Sequence, residues 1–184
     1  DEELAQQYYM NKQYDKAVVY YEKIYAKRPD DFVYHNYLDC LLQTKDYKTA
    51  EKVIKKQIKQ EKNNLVLWLD MGHAYALAGD DKKSKEAYEK AIHNLPADRD
   101  QVLALGKAFV DNKQWDYALE TYKRGKSMLK DEYPFLFETA AVYKAMGDIV
   151  NMTDTYLDAL LISNTYIQSV QDALQISVGE NADV

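Results

Sequence analysis

The sequence predicts an all-α protein built from one helical hairpin repeated along the chain. Three observations carry that reading. The 184 residues hold only 3 Pro and 6 Gly, too few for a fold of short strands and turns, while Ala, Leu, Lys, Glu, Gln and Tyr, mostly good helix formers, fill long stretches. Apolar residues recur at three-and-four spacing. The same register of small and large residues then returns at a fixed interval.

The clearest copy is "WLDMGHAYALAGDDKKSKEAYEKAIHNLP", residues 68–96. From Leu65 to Ala78 the residues Leu65, Trp68, Leu69, Met71, Gly72, Tyr75 and Ala76 form one helical stripe, and Gly79 in "AGDD" ends it. From Lys82 to Asn94 a second stripe carries Tyr88, Ala91 and Ile92, and Pro96 stands just past its end. Two helices approach to about 8–10 Å only over small side chains. Gly72, Ser84 and Ala91 suit the crossing, with Trp68, Met71, Tyr75 and Tyr88 filling its flanks.

The register repeats five times. The small residue opening the second helix is Ala17, Ala50, Ser84, Ala118 and Met152, at steps of 33, 34, 34 and 34 residues. Four residues later come Tyr21, Ile54, Tyr88, Tyr122 and Tyr156; at the place of Tyr75 stand Tyr8, Leu41, Phe109 and Tyr143; at the place of Gly72 stand Ala5, Leu38, Gly106 and Ala140. Trp68, Met71, Gly72, Tyr75, Ser84, Tyr88, Ala91 and Pro96 together resemble the signature of the tetratricopeptide repeat. The resemblance covers essentially the whole chain, whereas pentatricopeptide and HEAT-type repeats run longer. It implies a right-handed α–α superhelix of five hairpins, residues 1–30, 31–64, 65–98, 99–132 and 133–164, in a single domain, with first helices lining a concave groove and second helices forming the convex back.

The second repeat departs from the pattern at Leu38, Gln57 and Lys62, which occupy the places of Gly72, Ala91 and Pro96. The fourth sets Gly125 inside a helix, at a cost of about 1 kcal/mol relative to Ala unless a neighbouring helix comes close. An eleventh helix over 165–178 begins at a cap on Asn164 or Thr165 and sets Ile167, Val170 and Leu174 along one face. It either covers the apolar end of the fifth repeat or opens a sixth.

Residues 131–184 carry one basic side chain against nine acidic, while the rest of the chain is slightly basic, so the acidity behind the net charge of −6 resides in the last third. The helix of the second repeat shows Lys48, Lys52, Lys55, Lys56 and Lys59 on one face, read as a solvated outer surface with an acidic partner as the alternative. An acidic chain without a basic groove lacks the footprint of nucleic-acid binding. Cys40, the single cysteine, permits no internal disulfide and reads as a packed small side chain. There is no membrane-span stretch, and the composition suits a cytoplasmic or an exported protein alike.

The sequence holds no phosphate loop, serine elbow or paired-cysteine motif, so neither an enzyme nor a cofactor is expected. His35 and Asp39 stand four apart on one helix, and Asp70 and His73 three apart on the next first helix. The set is read as a polar groove wall, with a metal site as the weaker alternative. His93 is placed at the surface. On the resemblance, the partner-binding groove is assigned to His35, Asn36, Asp39, Asp70, His73, Asp100, Leu103, Lys107, Phe137 and Glu138, with Leu69 as a further apolar contact. Relatives that grip a peptide's C-terminal carboxylate use Lys, Asn and Arg where this chain has His35, Asp39, Asp70, Asp100 and Ala104, or, one repeat earlier, Glu2, Gln6, Asn36, Val66 and Asp70. That ligand is disfavoured. The expected role is a protein-interaction scaffold for a peptide or partner helix that is basic or presents amine and hydroxyl donors, with a structural spacer docking through its ends as the alternative.

Overall fold

The computed structural model describes residues 1–130 and 134–182, with side chains to residue 175. Eleven α-helices follow one another among the described residues: α1 (Glu2–Met10), α2 (Tyr14–Lys27), α3 (Asp31–Gln43), α4 (Tyr47–Gln60), α5 (Val66–Leu77), α6 (Asp81–His93), α7 (Arg99–Asp111), α8 (Trp115–Leu129), α9 (Leu136–Met146), α10 (Ile149–Ile162) and α11 (Ile167–Ala182). No strand occurs among them. The chain divides into two compact units, residues 1–90 and 91–184, the boundary falling within α6.

The hairpin turns are alike to the hydrogen bond. In each, a residue just past the first helix, the second after it in four turns and the first in the fifth, has left-handed backbone, with φ of 56° at Lys12, 60° at Lys45, 80° at Gly79, 57° at Lys113 and 75° at Gly147. Its N–H donates to a carbonyl three residues back, and the next N–H to one five back, as in Gly79 to Ala76 and Asp80 to Tyr75. This satisfies carbonyls that a helix end otherwise leaves open. Residue types fit the site unequally, since glycine adopts this conformation freely and lysine does not. The residue after it caps the second helix: Asp46, Asp80 and Asp148 accept from the N–H of Thr49, Lys83 and Asn151 at 3.1 Å each. Gln13 and Gln114, at the same place, make no side-chain cap.

The unit of residues 1–90 has a core of small-against-large pairs. Gly72 lies directly under the Tyr88 ring, where a Cβ would approach Cε1 to 2.2 Å. In the second repeat the pair is Leu38 and Ile54, both buried. Volume lost from the aromatic position is returned at the small one, so the departure at Leu38 preserves the packing. Gln57 is 1% exposed, and its amide oxygen accepts from Tyr25 Oη at 2.8 Å while its amide nitrogen donates to Glu61. A buried amide is tolerated because both ends are bonded. Cys40 is fully buried in the same cluster as Tyr34, Tyr37 and Leu41, and burial with the neighbouring Asp39 pushes its thiol up to about 12, which disfavours the thiolate.

In the unit of residues 91–184, Gly106 repeats the arrangement under Tyr122, with a would-be Cβ 2.3 Å from its Cε1. Gly125 has a different reason: a Cβ there would meet Val102 of α7 at 2.5 Å and Phe135 at 2.9 Å. Phe135 is fully buried in left-handed conformation (φ 53°), its ring stacked on Tyr122 at 5.9 Å. The last helix packs on α10, with Val170 buried and Leu174 half-buried, whereas Ile167 is 45% exposed and faces away. A short 3-10 turn, Asn164–Tyr166, precedes it, and Ser163 rather than Asn164 or Thr165 supplies the side-chain cap. Residues 131–133, where the fourth and fifth repeats were expected to meet, lie outside the described residues.

Candidate partner-binding faces

Five of the ten expected binding residues fall in each unit, and each set is described within its own. In residues 1–90, α3 carries His35, exposed, with Asn36 and Asp39 half-buried, and α5 carries Asp70 and His73, both half-buried. Tyrosines of the preceding first helix hold the two carboxylates. Tyr9 Oη donates to Asp39 Oδ2 at 2.7 Å, joining α1 to α3, and Tyr34 Oη donates to Asp70 Oδ2 at 2.8 Å, joining α3 to α5. Gln43 adds a second donor to Asp39 at 3.2 Å. Asp70 is set deep enough that desolvation raises its pKa, against the opposing effects of the Tyr34 bond and of His35 and His73 nearby. Burial, together with the same pairing, drives the Tyr9 and Tyr34 phenols upward.

His35, Asp39, Asp70 and His73 therefore form a polar wall joined to the core by phenols. They do not converge on a point: among the described residues no group of three or more His, Cys, Asp or Glu is placed to hold a metal ion. Leu69 is not part of this face, being 2% exposed. Its place next to Asp70 turns it through about 100° into the core, which its sequence position disguised.

In residues 91–184, Leu103 and Lys107 of α7 and Glu138 of α9 come together around an open pocket of about 300 Å³. Val110, Ala141 and Val142 complete its apolar floor; none of these was expected, and their small or branched side chains at helical spacing from Leu103 and Glu138 were the available signal. Lys107 Nζ is held by Asp111 at 2.6 Å, one turn along α7. Asp100 is exposed in the first turn of the same helix. Phe137 turns the other way, packing on Tyr156 at 6.0 Å and edge-on to Tyr166 at 5.4 Å. It is half-buried, and its ring is engaged by α10 and the 3-10 turn.

The outer helices show what the repeat pattern left open. Lys48, Lys52, Lys55, Lys56 and Lys59 of α4 are all exposed, although Lys55 pairs with Glu51 and Lys56 lies 4.8 Å from the Tyr25 ring centre. Trp68, expected in the packing, is only half-buried, with Lys90 Nζ 4.0 Å above its ring. His93 is exposed, and its carbonyl accepts from Arg124 at 3.0 Å. No helix among the described residues is long and apolar enough to cross a membrane.

Recurrent two-helix units with identical turns define a helical-repeat protein. Residues 33–64 and 65–93 each match the family model of the tetratricopeptide repeat, so that part of the chain consists of two such repeats. It is 26% identical over 111 residues to the general transcriptional corepressor trfA of Dictyostelium discoideum, a match that takes in 59% of this chain and 8% of that protein. Among solved structures it is similar to TTC0263, a thermophilic tetratricopeptide-repeat protein of Thermus thermophilus, at 18% identity over 96% of both chains with a TM-score of 0.43. It is also similar to the TPR2AB domain of yeast Sti1 in a complex with pHSP90, at 17% identity over 98% of this chain and 83% of that one, TM-score 0.42. Proteins of this family generally mediate protein–protein interaction and are generally not enzymes.

Proposed function

We propose that this chain is an interaction module that takes up a segment of a partner protein on the faces of its first helices, without catalysis and without a cofactor. The observation that carries the reading is the pocket between α7 and α9, where Leu103, Lys107 and Glu138 surround an apolar floor. A pocket of about 300 Å³ accepts one or two apolar side chains of a partner segment. Lys107 is already paired with Asp111, Glu138 lines the pocket and Asp100 stands exposed a turn before Leu103, which favours a segment carrying Lys or Arg beside its apolar anchor. On the other unit, Asp39 and Asp70 offer acceptor oxygens whose direction is already fixed by Tyr9 and Tyr34. A ligand anchored by its own C-terminal carboxylate is disfavoured by the same acids, and nucleic acid by the net charge of −6.

Fluorescent peptides holding a Leu or Phe next to Lys or Arg, and matched peptides with Glu in place of the cations, provide the test. The basic set binds at micromolar levels and weakens with salt. Leu103→Asp reduces that binding tenfold or more by placing a carboxylate on the apolar floor, on the order of the 1.4 kcal/mol that a factor of ten represents. Equal binding of the acidic set, or indifference to Leu103→Asp, sinks the reading.

A second reading is docking of the chain through its end. Seven of the larger exposed apolar side chains, Met146, Ile149, Val150, Leu157, Leu161, Ile162 and Ile167, lie between residues 146 and 167. Such a concentration on the fifth repeat and the start of α11 favours a surface that another protein covers.

A further inference from the structure

Two surfaces of this chain complement one another in both shape-filling chemistry and charge. The first is a cleft of about 370 Å³ opening on α4, α5 and α6, with Ile58, Trp68, Met71 and Tyr75 as its floor. Its rim carries Lys55, Lys59, Lys83 and Lys90 against one carboxylate, Glu86. Two of these cations are engaged, Lys55 with Glu51 and Lys83 with Asp80 at 2.7 Å. Lys59 makes no ion pair or hydrogen bond among the described residues, and Lys90 has only the face of Trp68. An apolar floor under two uncommitted ammonium groups fits an apolar stripe that brings its own carboxylates.

The second surface is such a stripe. Helix α10 buries Met152, Thr155, Tyr156 and Ala159. At 100° per residue, Val150, Asp154, Leu157, Asp158 and Leu161 fall on the opposite side, with Val150 71% and Leu161 85% exposed. Asp154 and Asp158 make no hydrogen bond or ion pair among the described residues. A single exposed leucine is ordinary. Three apolar side chains in register with two unpaired acids make an amphipathic face of the kind that enters a groove.

We propose that the cleft of one copy receives the α10 stripe of a second copy, Leu157 and Leu161 covering Trp68 and Ile58 while Asp154 and Asp158 approach Lys59 and Lys90. The inference rests on the end-docking reading and names what covers that end. Because the two surfaces differ, each pairing leaves one cleft and one stripe vacant, so association continues beyond the dimer unless the rotation closes a ring. The small contact and its exposed charges make it weak and salt-sensitive.

Sedimentation velocity from about 10 μM to about 1 mM, in about 0.05 M and about 0.5 M salt, tests it. The expected result is an average mass that rises with concentration and rises less at high salt. Leu161→Asp, at an exposed position that leaves folding intact, and Lys59→Glu with Lys90→Glu each give a monomer. Mixing these two variants restores a one-to-one complex, because one retains the cleft and the other the stripe. A chain that stays monomeric throughout, variants that associate like the parent, or a mixture that does not pair would overturn the proposal. A monomeric result leaves end docking onto a different protein standing, and the peptide measurements decide the first-helix face independently.

Discussion

Gly72→Ala adds a single carbon, and the structure makes its effect opposite in sign to what helix propensity alone dictates. In a helix interior, Ala is better than Gly by about 1 kcal/mol. Here the added Cβ would stand 2.2 Å from Cε1 and 2.4 Å from Cδ1 of Tyr88, whereas carbon atoms rest at about 3.5–4.0 Å. Tyr88 is 3% exposed and cannot swing into solvent, so the ring or the whole of α6 must withdraw by over an ångström. Overpacking of that kind costs about 1–3 kcal/mol. The net is a loss of about 1 kcal/mol, which for a chain of this length lowers Tm by about 2–4 °C. The decisive measurement is a double-mutant cycle in urea followed by circular dichroism. In a Tyr88→Leu background the ring is gone, and Gly72→Ala then stabilises by about 1 kcal/mol, so the two backgrounds differ in sign. If the alanine stabilises equally in both, Tyr88 does not rest on Gly72, and small-against-large pairing is not what sets the hairpin crossing. Gly72→Leu, with more volume to place, lowers the midpoint further.

Two smaller changes test the turns and the polar wall. Gln114→Asp supplies the carboxylate cap present at Asp46, Asp80 and Asp148 on closely similar backbone (φ −92° at Gln114, −85° at both Asp46 and Asp148) and raises the urea midpoint by the equivalent of about 1 kcal/mol; an unchanged midpoint refutes a common cap geometry. Asp70, with its folded pKa raised by desolvation, holds its proton more tightly than the unfolded chain does, so stability falls as pH climbs from the ordinary carboxylate range near 4 through the raised value. Asp70→Asn, which can still accept from Tyr34, removes that fall: it is more stable than the parent at neutral pH and the advantage vanishes in acid, whereas an advantage that persists below pH ~3 shows that ionisation of Asp70 is not its source.

Most of the fold was legible because it is written in a period. A hairpin repeated at 33- or 34-residue steps fixes helix number and order, and the observed α5 and α6 end within a residue of the two stripes read from the third copy. The turn chemistry was less visible. Only the glycines Gly79 and Gly147 mark a left-handed residue in the sequence, since Lys12, Lys45 and Lys113 occupy the same conformation without a side chain that favours it; there the two turn hydrogen bonds and the packed helices on either side hold the backbone. Leu38 read as a fault because each position was compared with its counterpart in other repeats, whereas packing compares it with its neighbour Ile54. Leu69 lies in the core for a related reason: a helical face is over 100° wide, and residues at its edge are assigned to core or surface by what the next element covers.

The acids of the first-helix faces follow the same logic and sharpen where a partner should engage. Tyr9 reaches Asp39 across 30 residues and Tyr34 reaches Asp70 across 36, so neither bond follows the repeat period and neither leaves a trace in aligned repeats. Each phenol occupies one lobe of a carboxylate and ties it to the core, which makes these acids fixed acceptors rather than free charges. Asp70, moreover, is reluctant to ionise. Asp100 has no such tyrosine; it is exposed at the start of α7, on the helix whose Leu103 and Lys107 line the pocket. On the proposed reading a partner's cation therefore meets an exposed carboxylate one helical turn before Leu103 and a directed, partly satisfied one on the other unit. Coulomb attraction in water is worth only about 1 kcal/mol at contact distance, so on the proposed reading the apolar side chain placed over Leu103 sets the affinity of a partner segment, while the acids choose among partners that supply one.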